Sequence, residues 1–116
     1  MQAEATVAEA RASVATLQAQ IAQQRTNLAA ATAARANATA ERDRTAQDAE
    51  RSKTLRAQGW ASQQANDLAV ADGRKAAAML NVAIEQETAA NDQITVLTAQ
   101  LRQAMRASSG PRRSWH

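Results

Sequence analysis

The chain has 116 residues with 14 Lys and Arg against 11 Asp and Glu, a formal net charge of +3, no cysteine, and Trp60 and Trp115 as its sole aromatic residues. Its 32 alanines stand beside only 15 Leu, Ile and Val, too few large apolar groups for an ordinary globular core, while the small net charge argues against disorder. Disulfides and thiolate metal sites are excluded, no apolar run approaches the ~20 residues that cross a bilayer, and the start Met1-Gln2-Ala3-Glu4 lacks the pattern of an export signal. Ala, Gln, Glu, Arg and Leu are strong helix formers, and the one proline, Pro111, lies beyond the periodic region, so the chain is expected to be nearly all helix.

The first arm is expected over residues 2–58. Val7, Ala10, Val14, Leu17, Ile21, Leu28 and Ala31 alternate in steps of three and four, the seam of a coiled coil facing a partner helix, with Gln24 as one polar interruption that sets register. From Ala29 to Ala40 the seam dissolves into alanine, and periodicity no longer selects a face. Beyond it, Glu41-Arg42-Asp43-Arg44 and Asp48 to Lys53 alternate in sign, as on a solvated helix surface with i to i+4 pairs.

The tip is expected at residues 59–62. Gly59 follows a long periodic run and supplies the left-handed residue that ends a helix. With Gly59 at the first position past the helix, Leu55 and Trp60 occupy the two places whose side chains commonly touch across such an end. Ser62 is the N-cap of the returning helix, and Ala65 stands where Glu or Gln would complete a capping box.

The second arm is expected over residues 63–107, beginning with Leu68 and Ala71, bulky at Met79, Leu80, Val82 and Ile84, and again at Ile94, Val96, Leu97, Leu101 and Met105. Folding about Trp60 pairs positions whose numbers sum to about 120. Leu80 and Ile84 then face the alanines of 36–40, large against small, while Ile94 and Leu97 approach Leu28 and Thr26, and residues 101–105 approach Leu17 and Val14. This complementarity argues for an all-α fold, a long antiparallel two-helix coiled-coil hairpin. Gly73 inside the second arm costs ~1 kcal/mol relative to alanine and marks a place for a bend. Residues 108–116, with Gly110, Pro111, Arg112, Arg113, Trp115 and His116, carry breakers and no periodicity, and are expected to be a disordered tail.

The residues offer no phosphate loop, no nucleophile and base arrangement, and only one histidine, at the terminus. No enzyme activity, cofactor, metal or nucleic-acid partner is expected, the last despite Trp115 beside Arg112 and Arg113. Around the turn, however, Arg51, Leu55 and Ser62 stand at a distinctive spacing, within Glu50-Arg51 to Leu55 and Gly59-Trp60-Ala61-Ser62-Gln63-Gln64 up to Asp67. That phrase resembles the Arg-Leu-Ser hairpin tip of the periplasmic adaptor, or membrane fusion, proteins of tripartite efflux and type I secretion systems. The arms, with Leu17-Gln18-Ala19-Gln20 and Leu97-Thr98-Ala99-Gln100-Leu101, are similar to that family's coiled-coil hairpin, so the resemblance covers about residues 2–107. It implies a periplasmic, inner-membrane-associated location and several hairpins packed as a homo-oligomer. It also implies a tip that docks on a TolC-like outer-membrane channel through Arg51, Leu55 and Ser62, and an inner-membrane transporter as a further partner.

The chain departs from the family phrase at Ala65 and Asn66, where a glutamate and a bulky residue are usual. It shows no lipoyl-like or β-barrel segment, and Ser108 to His116 stand where the returning half of a lipoyl-like domain would begin. This is expected of a fragment, an excised segment or a frame-disrupted gene product. Each tip residue also has a plainer reading: Arg51 as a solvated residue pairing with Asp48, Leu55 packing on Trp60, and Ser62 acting only as a cap. Those readings fit a free-standing structural coiled coil that self-associates.

Overall fold

The computed structural model describes residues 2–109, and within them the fold is an all-α antiparallel hairpin of two helices, α1 (Gln2–Ala57) and α2 (Gln63–Ser108). Among the described residues there is no strand. The second helix runs to Ser108, whose hydroxyl donates to the Met105 carbonyl at 2.8 Å, one residue beyond the expected end. The rest of the expected tail, residues 110–116, lies outside the described residues.

The chain divides into two compact units, and α1 and α2 each contribute a segment to both. The tip unit is Ala30–Thr88. Its seam on α2 is Asn66, Ala69, Gly73, Ala76, Leu80, Ala83 and Glu87, all buried or half-buried in strict steps of three and four. On α1 the covered residues Ala31, Ala38, Thr45, Ala49 and Ser52 keep the same heptad. Two observations fix the register. Arg35 donates from Nη1 to Glu87 Oε1 at 2.6 Å, and a Cβ added to Gly73 would lie 3.9 Å from the Thr45 carbonyl oxygen. Both pairs fit numbers summing to about 120, so Leu80 and the half-buried Ile84 meet the alanine-rich part of α1 as expected.

Alanine therefore does select a face between Ala29 and Ala40, through Ala31 and Ala38, and the heptad position between them is filled by Arg35, which reaches across to Glu87. Thr45 is the one buried polar residue among those described. Its hydroxyl lies 3.0 Å from each of the Glu41 and Arg42 carbonyls of its own helix, a donor kept satisfied without a partner on α2.

Of the bulky residues of α2 in this unit, Leu68, Met79 and Val82 are exposed. Residues of α2 step by 100°, so Met79 and Val82, one and two places from Leu80, turn away from the single helix it faces, and Leu68 lies on the same outer stripe. Ala71 is exposed as well, and the seam opens at Asn66 and Ala69 instead. Gly73 sits in unbroken helix.

The other unit, in its described residues, combines residues 2–29 with 89–109. Its described seam is Val7, Ala10, Val14, Leu17, Ile21, Gln24 and Leu28 on α1, and Ala90, Ile94, Leu97, Leu101, Ala104 and Ser108 on α2. Gln24 takes a half-buried place in it, its Oε1 accepting from Asn27 Nδ2 at 3.4 Å. Val96 and Met105 are exposed, off the seam for the same angular reason as Met79. Among the described residues no helix is long and apolar enough to cross a membrane.

Candidate functional site at the hairpin tip

The tip is built by backbone chemistry before any side chain packs. Gly59 has φ +80°, the left-handed region that disfavours a Cβ. With it in place, the Trp60 N–H donates to the Leu55 carbonyl at 2.7 Å and the Gly59 N–H to the Arg56 carbonyl at 3.0 Å, closing the last carbonyls of α1 in the crossed pattern typical of a glycine-terminated helix. Two residues on, Ser62 Oγ accepts from the Ala65 N–H at 3.0 Å, and the Ser62 carbonyl accepts from the Asn66 N–H at 3.1 Å to start α2. The missing capping-box acid is not replaced in kind. Gln63 instead donates to Asp67 Oδ1 at 2.7 Å, one turn along the surface of α2.

Arg51 and Leu55 are four residues apart on α1, hence on one face a turn apart. The Arg51 side chain is 70% exposed, and among the described residues its one ion-pair partner is Asp48 Oδ1 at 3.7 Å, beyond hydrogen-bond length. Asp48 is held more closely by Arg44, whose Nη1 donates to Oδ2 at 2.8 Å. Arg44 also donates to both oxygens of Glu41, from Nη2 at 2.6 Å and Nε at 3.2 Å. These bonds hold the Glu41 carboxyl below its ordinary range, and the same pairing raises the Arg44 guanidinium. The row Glu41-Arg44-Asp48-Arg51 thus ends, toward the tip, in its most weakly engaged guanidinium.

Leu55 is 38% exposed and Trp60 79% exposed. The backbone bond between them forms as the turn pattern predicts, and most of the indole faces solvent. Two apolar side chains face solvent here near the exposed Arg51, Lys53 and Arg56. The Ser62 hydroxyl spends its oxygen on the cap and keeps its O–H to donate. No hydrogen bond or ion pair joins Ser62 to Arg51 or Leu55; the short turn alone brings the three to one end of the tip unit.

A second feature lies along the side of this unit. Ala34, Ala38, Ala78, Met79, Val82 and Ala83 line an open groove of about 430 Å³, and a smaller one of about 190 Å³ nearer the tip runs beside Leu68, Arg44, Asp48 and Asp72. The signal for it in the sequence is a second stripe in α2 at three-four spacing, through Leu68, Asp72, Lys75, Met79, Val82 and Gln86, next to the true seam. Among the described residues no group of three or more His, Cys, Asp or Glu is gathered as for a metal ion. Comparison with family models, curated proteins and solved structures finds no match to this chain.

Proposed function

We propose that the chain is the helical hairpin of a periplasmic adaptor of a tripartite efflux or type I secretion system, an assembly module without catalysis. Its tip docks on the helical end of a TolC-like outer-membrane channel, several hairpins act together, and an inner-membrane transporter is the other partner. The observation that carries this reading is the joint exposure of Arg51 and Leu55, one turn apart, beside a left-handed turn capped by Ser62. Arg51 offers a planar fork of donors to carboxylates or carbonyls, Leu55 an apolar knob, and Ser62 one small donor. A platform fixed by its own backbone bonds loses little freedom on binding, which favours a docking role over a passive turn.

The test is capture of the channel, and efflux, by a complete adaptor carrying this hairpin. Leu55→Ala and Arg51→Asp should each weaken capture by about 10-fold or more, with circular dichroism showing the helices intact. Capture at the unaltered level by a folded double variant would reduce the tip to an ordinary turn. A second reading, a free-standing coiled coil whose hairpins associate, is favoured by a different observation, the apolar groove at Met79 and Val82.

A further inference from the structure

One face of the tip unit has no partner within the fold. The seam of α2 is spent on α1, yet a parallel stripe leaves Leu68, Met79 and Val82 at 63, 58 and 52% exposure. On the same side α1 presents only small residues, Ala34 and Ala38, at the floor of the groove that Met79 and Val82 wall. We infer that this side face binds a second copy of the chain. The two copies are related by a two-fold axis parallel to the helices, so that α2 of each lies over α1 of the other and both tips point the same way.

Shape selects that occupant. Knobs and hollows lie on one surface at one height, because the register fixed by Arg35–Glu87 and by Gly73 beside Thr45 sets Val82 level with Ala38. A two-fold axis along the helices carries Met79 and Val82 of each copy over the alanine hollow of the other, so one operation fills both grooves, as an isologous contact requires. An axis across the helices would instead set Met79 and Val82 against themselves and leave the hollows empty.

Charge agrees with shape. Toward the tip the face carries Arg44 and Lys75 with Glu41, Asp48 and Asp72, close to balance in sign, so it strongly attracts neither a polyanion nor a polycation. Under the parallel axis, Glu41 comes within about a turn of Lys75 in the second copy, and Arg44 within about a turn of Asp72. Size suffices as well: the α1 segment of this unit runs ~40 Å and a helix pair is ~20 Å wide, giving ~800 Å² per copy, the scale of a stable interface.

Analytical ultracentrifugation of the full chain tests the inference. The expected result is a reversible dimer in the micromolar range, with Met79→Glu and Val82→Glu each raising its dissociation constant about 30-fold while helix content holds. If those variants lose helix, Ala34→Glu probes the same contact from the hollow. Because the chain has no cysteine, orientation is read by mixing an Ala38→Cys chain with a Val82→Cys chain under oxidation. Mixed disulfide dimers should exceed either homodimer. A monomer throughout, association indifferent to the glutamates, or preferred linkage of Val82→Cys to itself would each overturn the proposal. None of the altered residues belongs to the Arg51, Leu55 and Ser62 trio, so failure here and failure of channel capture are separate results.

Discussion

Adding one methyl group at each of two glycines should move stability in opposite directions. At Gly73 the backbone is ordinary helix, and a Cβ would meet only the Thr45 carbonyl oxygen at 3.9 Å, ordinary van der Waals contact. Nothing must shift, so Gly73→Ala should stabilise by the helix-propensity difference, ~0.8–1 kcal/mol. At Gly59 nothing lies within 4 Å of the added carbon, but φ is +80°. The cost there is backbone strain of ~1–2 kcal/mol, partly offset by ~0.4–1 kcal/mol from a stiffer unfolded chain, so Gly59→Ala should destabilise by up to ~1.5 kcal/mol. Urea titration followed by far-UV circular dichroism, at one fixed chain concentration because association shifts the midpoint, reads both changes. With a slope of ~1–2 kcal/mol per molar urea, the midpoints should separate by about 1 M. Destabilisation by Gly73→Ala would mean that the helices approach more closely at Thr45 than the structure shows, and a raised midpoint for Gly59→Ala would count against the left-handed turn.

Acid should loosen the hairpin partly through Glu87. Arg35 first, and then the Thr32 hydroxyl, hold its carboxyl below the ordinary glutamate value of 4.5. Its contribution is therefore present above that value and lost as pH falls through the lowered one, so Glu87→Gln should be the less stable chain near neutrality and converge on the parent in acid. A gap between the two melting curves that stays constant with pH would count against the pair. Ser62→Ala should cost ~1 kcal/mol by leaving the Ala65 N–H without its acceptor. Amide exchange at Ala65 no faster than in the parent chain would show that the cap is not what holds it.

Local backbone signals were legible in the residues themselves. Gly59 ends α1 and Ser62 opens α2 because a left-handed φ and a free helical N–H each call for a short list of residue types. The α1 seam from Val7 to Leu28 was legible too, since bulky residues stand at strict three-four spacing against polar neighbours. The α2 seam is harder to read, because bulk and spacing disagree there. Counting from Leu80 leads to Ala76, Ala83 and Gly73, while size draws attention to Met79 and Val82, and in this chain spacing decides. The Arg35–Glu87 pair was hidden because each residue alone looks like solvated surface, and only the register joins them. For the tip, the positions of Arg51, Leu55 and Ser62 followed from the turn, but the openness of Trp60 did not, since the cap pattern specifies backbone bonds and leaves the indole's direction to its surroundings.

An alanine seam has consequences for how the molecule divides its work. Small residues at Ala31, Ala38, Ala76 and Ala83 let two helices pair, yet each buried methyl removes little apolar area from water, so the arms of the tip unit draw only modest stability from one another. The larger side chains Leu68, Met79 and Val82 are displaced to an outer face, where they contribute only when something covers them. Helix stability and association are then linked: whatever covers that face binds the folded hairpin and not the unfolded chain, and the melting temperature should rise with concentration. The turn stands outside this linkage. Its glycine, its two closing hydrogen bonds and its serine cap are local, so once the two helices are formed the tip geometry is specified without a seam contact. Weakening the arms should therefore change how many hairpins are folded before it changes what a folded tip presents, and an effect of Arg51 or Leu55 on partner binding can be separated from an effect on stability in the same preparation.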